Sequence, residues 1–187
     1  MAFAFVIAMT LYLRKSICML TMLLCAFAGT AAAGQLDLVV NGRSHHVNSE
    51  YDWNENNYGL GLEYQFDSTS RWIWSANGNA FLDSQNNMSY MAGGGLKRRL
   101  FQSERLAGFY LDAGLVAFLM ARADINDYQP FPGILPTLSF GIGNIGMNLT
   151  YLPKVVVRDF AQAKVADPNI GGAFFLQFKF RLPKQSR

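Results

Sequence analysis

Cysteine is nearly missing from this chain: there are two, Cys18 and Cys25, and both come before Gly34. Everything after Gly34 therefore lacks a disulfide framework and thiolate chemistry. Histidine is just as scarce, with His45 and His46 side by side and no others. No spacing of His with carboxylates looks like a metal site, so no metal and no cofactor is expected. Charge of either sign is not in excess. Arg14 and Lys15 lie in the first thirty-three residues, so the remainder balances 14 basic against 13 acidic residues. That balance carries no nucleic-acid footprint. There is no internal repeat, no coiled-coil heptad and no long low-complexity run.

The longest apolar runs sit at the N-terminus. Arg14 and Lys15 precede an apolar run from Cys18 to Ala28, and Ala31 to Ala33 offer small residues before Gly34. That order predicts a secretory signal over residues 1–33, with Met9 a plausible start. A retained anchor is the alternative, disfavoured because the apolar core after Lys15 is short. Residues 34–187 are then a single domain, rich in Gly and Phe.

Within that domain the hydrophobic period is two. Ile145, Met147, Leu149 and Tyr151 alternate with Gly146, Asn148 and Thr150. Tyr58, Leu60, Leu62, Tyr64 and Phe66 alternate with Gly59, Gly61, Glu63 and Gln65. Phe174, Leu176, Phe178 and Phe180 alternate with Gln177, Lys179 and Arg181. Eight such segments follow: 36–46, 58–66, 72–82, 89–100, 106–122, 135–142, 145–152 and 173–182. Lys and Arg on the polar face suit a lumen and would be costly against lipid. After a secretion signal, this pattern predicts an all-β fold, an eight-stranded antiparallel transmembrane β-barrel in the bacterial outer membrane. A soluble eight-stranded barrel is the alternative, but it needs no apolar outer face on nearly every strand. The first segment fits least well, which predicts a bulge or an early end to its span.

Short turns are expected at the periplasmic end and longer loops outside. By that rule His45 and His46, Asp83 and Ser84, and Arg122, Asp124 and Asp127 all gather at the outer rim. A His can take a proton from a hydroxyl, and a carboxylate can orient it. Those groups suit acyl transfer. Each has a plainer reading too: His-His as a solvated loop, Asp-Ser as a turn and cap, and Arg122 as an ion pair with Asp124 or Glu63.

The segments Phe81 to Asn86, Ala121 to Asp124, Pro130 to Pro136 and Thr150 to Pro153 together resemble the outer-membrane lipid A palmitoyltransferases, the PagP family. The resemblance implies an acyltransferase that moves a palmitoyl chain from a phospholipid donor to lipid A, as a membrane-embedded monomer. By position it implies His46 (with His45 as the neighbour to be distinguished), Asp83 and Ser84 as catalytic residues. It places Gly95 at the floor of an interior pocket and Arg122 near the loops as a substrate contact. The run Gly93 to Gly95 leaves little side-chain volume inside. Pro130, Pro132, Pro136 and Pro153 cannot donate to a sheet ladder and should leave gaps in the wall through which lipid enters sideways. An outer-membrane lipid hydrolase or deacylase, or a non-catalytic small barrel, are the competing readings. This chain departs from the family's usual pattern in lacking an amphipathic helix before the first strand, in a shorter loop over residues 52–57 and in a tail beyond Phe180.

Overall fold

Alternation on this scale leaves one arrangement that satisfies every backbone group in a hydrocarbon setting: a sheet closed on itself. The computed structural model describes residues 34–157 and 169–183. Eight strands run in chain order: β1 (Gln35–Val47), β2 (Asn56–Gln65), β3 (Trp72–Leu82), β4 (Met88–Ser103), β5 (Phe109–Ala121), β6 (Phe131–Ile142), β7 (Ile145–Pro153) and β8 (Gly172–Arg181). Each pairs antiparallel with its neighbour, and β1 closes the barrel against β8. The signal expected over residues 1–33 lies outside the described residues.

Polarity is inverted relative to a soluble protein. Leu60, Leu62, Trp74, Leu115, Leu119 and Ile134 are exposed on the outside, while Glu63, Lys97, Asp112 and Lys179 are buried within. Soluble barrels bury the first set and solvate the second. This distribution fits a wall facing lipid and excludes the soluble alternative. The expected irregularity in β1 is present. Its register shifts between Asn41 and Arg43 against β2, and between Asn41 and Ser44 against β8. Against β8 the extra residue is on β1, around Gly42, where an added Cβ would lie 3.1 Å from the Leu176 carbonyl oxygen; against β2 it is on β2, between Asn56 and Gly59.

Several boundaries differ from the pattern-based expectation. β4 continues to Ser103, a 3-10 turn occupies Glu104–Leu106, and β5 starts only at Phe109. Ala107 (φ 51°) and Gly108 (φ 74°) turn the chain there. The apolar Leu106 reads like strand but belongs to the turn. β6 begins at Phe131, so Pro132 and Pro136 lie inside the strand and not ahead of it. The turn at 83–87 is no longer than the one at 66–71, so loop length alone separates the two ends of the barrel less cleanly than expected.

The prolines nevertheless mark a seam. β6 pairs with β5 from Phe131 onward, but its ladder to β7 begins only at Thr137 opposite Thr150. Residues 131–136 of β6 and 151–153 of β7 therefore have no ladder between them. Proline lacks the N–H that would carry such a ladder.

The two halves of the lumen are filled differently. Toward the end carrying the 66–71, 104–108 and 143–144 turns, charges occupy the interior. Glu63 accepts from Lys97 Nζ at 2.7 Å, Lys179 Nζ at 3.1 Å and Asn148 Nδ2 at 3.0 Å. Lys97 also reaches Ser139 Oγ at 3.1 Å, and Arg99 forks onto Asp112. Lys179 lies 3.5 Å from Asp37. Buried charges persist only when paired and hydrogen-bonded in this way. The other half opens into a cavity.

Candidate active site

The cavity has a volume of about 550 Å³ and opens toward the end bearing the 48–55, 83–87 and 122–130 connections. Its apolar wall comes from β4 to β6, with Met91, Val116, Phe118, Met120 and Leu135 facing in. Its opposite wall carries amides: Gln177 Nε2 donates to Asn41 Oδ1 at 2.6 Å, and Asn41 Nδ2 to Asn79 Oδ1 at 3.4 Å. A concave, mostly apolar site of this size with a few convergent polar groups is the usual form of a ligand pocket.

At the mouth, the end of β1 meets the turn after β3. His46 Nε2 lies 3.2 Å from Ser84 Oγ. The His46 side chain is only 7% exposed, whereas that of His45 is 71% exposed and points away from the cavity. Alternation along β1 explains the difference, since successive side chains take opposite faces. Trp53 stacks on the His46 ring with centroids 5.2 Å apart. Trp53 is itself packed against the cluster of Val157, Ile170 and Ala173, and its Nε1 donates to Ser49 Oγ at 2.9 Å. The imidazole is thus held by a fixed indole and stays accessible from the cavity.

Asp83 Oδ1 accepts the backbone N–H of Gln85 at 2.9 Å and of Asn87 at 3.0 Å, and its Oδ2 accepts from Ser89 Oγ at 2.9 Å. Arg122 Nη2 lies 3.5 Å from the same oxygen. The carboxylate therefore ties the turn that presents Ser84. Arg122 is paired with Asp124 through Nε and Nη2, both at 2.9 Å, so the plainer ion-pair reading describes its contacts; Glu63, the other partner considered, lies in the charged half. The guanidinium still lines the cavity mouth.

Gly95 lies just beneath the cavity and not on its wall. It is paired with Ser75 and Val116, one inward position above Lys97. An added Cβ would meet the Ser75 hydroxyl at 2.6 Å, a group free to rotate. Gly93 faces inward too, but β4 and β5 approach there so closely that a Cβ would fall 2.7 Å from Phe118 Cα. The triple glycine therefore reflects close strand approach at Gly93 and a close neighbour, Ser75, at Gly95.

One charged residue at the mouth was not singled out from the sequence. Glu55, the last residue before β2, lies with Oε1 3.4 Å from His45 Nδ1 and 3.7 Å from His46 Nδ1, and accepts the His46 backbone N–H at 3.0 Å. Burial pushes the Glu55 carboxyl up, but the His46 N–H and the nearby His45, His46 and Arg43 outweigh it and hold the group below its ordinary value. The hairpin register was the available signal: Arg43 pairs with Asn56, which brings Glu55 back beside Ser44 and the histidines. Among the described residues, no group of three or more His, Cys, Asp or Glu is arranged to hold a metal ion.

A family model described as "Antimicrobial peptide resistance and lipid A acylation protein PagP" matches residues 27–159. The "Lipid A acyltransferase PagP" of Bordetella pertussis (strain CS) is 33% identical over 131 residues, covering 64% of this chain and 68% of that protein. The protein of the same name from Methylobacillus flagellatus is 32% identical over 133 residues, covering 64% and 67%. Among solved structures, the Yersinia pestis outer membrane protein Ail in a phospholipid nanodisc aligns at 12% identity with a TM-score of 0.41, covering 80% of this chain and 99% of that one. This chain belongs to the PagP family.

Proposed function

We propose that this protein is an outer-membrane acyltransferase that moves an acyl chain, palmitoyl in the first instance, from a phospholipid to lipid A. The observation that carries the reading is the 3.2 Å approach of His46 Nε2 to Ser84 Oγ at the mouth of an apolar cavity. Relatives named for lipid A acylation support it. Residues 1–33 are the secretion signal, and the barrel works as a monomer with its mouth outward.

The chemistry follows from the parts. The donor's acyl chain lies in the cavity with its ester carbonyl at the mouth. A lipid A hydroxyl attacks the carbonyl carbon while His46 Nε2 accepts its proton, directly or through Ser84. The new ester C–O bond forms, the donor's C–O bond breaks, and the proton passes to the departing lysophospholipid oxygen. Ser84 Oγ also lies where it can donate to the developing oxyanion. Positioned proton transfer of this kind is worth about 10²–10⁴ in rate. Asp83 acts by fixing the turn under Ser84. Arg122, at the mouth, holds a phosphate-bearing headgroup when its pairing with Asp124 is exchanged. Gly95 leaves the floor free for the chain's end. The seam between residues 131–136 and 151–153 gives the donor a lateral way in, since a fully laddered wall would exclude it.

The test is expression of the wild type, His46→Ala and Ser84→Ala in a bacterium lacking its own palmitoyltransferase, with lipid A read by mass spectrometry. The wild type is expected to add one acyl chain, and both variants to lose about 10²-fold or more of it while still folding and inserting. Free fatty acid without the adduct indicates a hydrolase. Unchanged lipids from an inserted wild type indicate a non-catalytic barrel.

A further inference from the structure

We infer that Glu55, and not Asp83, is the positioning carboxylate of this site, holding the His46 ring with Nε2 turned toward Ser84. This assignment rests on the acyl-transfer reading above and adds a residue to it. Glu55 Oε1 lies 3.7 Å from His46 Nδ1. The Asp83 oxygens are engaged by Gln85, Asn87, Ser89 and Arg122.

The geometry has a chemical consequence. His46 can accept from Ser84 at Nε2 only in the tautomer that carries its proton on Nδ1. A carboxylate oxygen 3.7 Å from Nδ1 favours that tautomer and favours the imidazolium once a proton has arrived. The same oxygen accepts the His46 backbone N–H at 3.0 Å, which fixes the carboxylate relative to the ring it serves. Asn54, the preceding residue, donates its backbone N–H to the Ser84 carbonyl and its Nδ2 to the Asp83 carbonyl, both at 3.0 Å. The loop carrying the carboxylate and the turn carrying the hydroxyl are thus bonded to each other. The charged groups around the ring among the described residues are Arg43 and His45 on β1, Glu55 on the loop, and Asp83, Arg122 and Asp124 across the mouth. Of these, Glu55 is the anion placed against Nδ1.

The experiment compares Glu55→Gln, Glu55→Asp and Asp83→Asn with the wild type in purified, folded form. Readouts are kcat and KM for transfer from phospholipid to lipid A across pH, and the titration of His46 by NMR. Glu55→Gln is expected to lower kcat by about tenfold or more, part of what a well-held base supplies, with little change in KM. It should also move the acid limb of the profile and the His46 titration to lower pH. Glu55→Asp should restore part of both. Asp83→Asn should leave the His46 titration in place. A wild-type titration and kcat in Glu55→Gln, or a titration that moves with Asp83→Asn instead, overturns the assignment. The NMR titration needs no turnover, so it reads the Glu55 contact even if transfer itself is not observed, and the two ideas can fail separately.

Discussion

The two halves of this barrel's interior solve opposite problems with the same alternating strands. In one half, Glu63, Lys97, Lys179, Asp37, Arg99 and Asp112 fill the lumen with paired charge. In the other, Met91, Val116, Phe118, Met120 and Leu135 leave an apolar space of about 550 Å³. The outer surface is predominantly apolar across both, because lipid faces both. The inner surface is free to differ, and it changes character within a strand: β4 passes from Met91 to Lys97, β5 from Met120 to Asp112, and β8 from Phe175 to Lys179. In the charged half, paired side chains fill the lumen across the barrel. The apolar half can then stay open without the wall collapsing. The proposed site lies in the open half, and the buried ion pairs lie in the closed one.

The sharpest way to break that division is to cut the charge network at its centre. Glu63→Gln leaves Lys97 and Lys179 facing each other with their shared anion gone, which should cost about 3–5 kcal/mol. The denaturant midpoint of the detergent-embedded barrel is expected to drop accordingly, while molecules that remain folded keep an acyl-transfer rate within a few-fold of wild type. Loss of activity in fully folded Glu63→Gln would mean the halves are not separable.

A second way acts on the wall of the open half. Thiol cross-linking of Leu135→Cys to Leu152→Cys, on β6 and β7 beyond the end of their ladder, should close the lateral seam. Transfer is expected to fall tenfold or more on cross-linking and to return on release. An unaffected rate would show that the donor enters elsewhere.

A smaller effect is expected at the boundary between the halves. Gly95→Met would push a side chain upward from beneath the cavity and shorten the accepted acyl chain. At roughly 0.8 kcal/mol per methylene, selectivity should move about fourfold for each carbon excluded. Competition between donors of different chain length, read by mass spectrometry, measures it.

The smallest effect concerns the loop at the mouth. The Glu55 carboxyl is held below its ordinary value in the folded protein, so its contribution to stability is full above that value and fades as pH falls through the folded one. Thermal midpoints of wild type and Glu55→Gln should therefore differ near neutral pH and converge in acid below about 4.5.

Which of these features could be read from the residues alone follows from what each depends on. All eight strands were legible, because lipid outside forces an apolar residue at every second position regardless of what lies within. The irregularity of β1 was legible for the same reason: by alternation Leu38 and Val40 share a face with Gly42, Ser44 and His46, so one face passes from apolar to polar within the strand. The approach of His46 to Ser84 followed from placing both at one rim. The job of Asp83 did not follow, because a turn sequence and a catalytic carboxylate look alike until the backbone N–H groups of Gln85 and Asn87 are seen to point at it. Glu55 was hidden by its setting in a polar loop, where nothing local distinguishes it from Glu50 or Asp52. Only the return of β2 against β1 brings it to the histidines. The prolines signalled a seam correctly, but its location depended on which neighbour β6 pairs with, and that is a matter of ladders and not of composition.

The most direct measurement uses purified protein in mixed micelles, a phospholipid carrying an isotopic label in one acyl chain, and lipid A as acceptor. The label is expected to move to lipid A with release of the matching lysophospholipid, and to stay in the donor with His46→Ala and Ser84→Ala folded to the same barrel. Equal transfer by wild type and His46→Ala would contradict it.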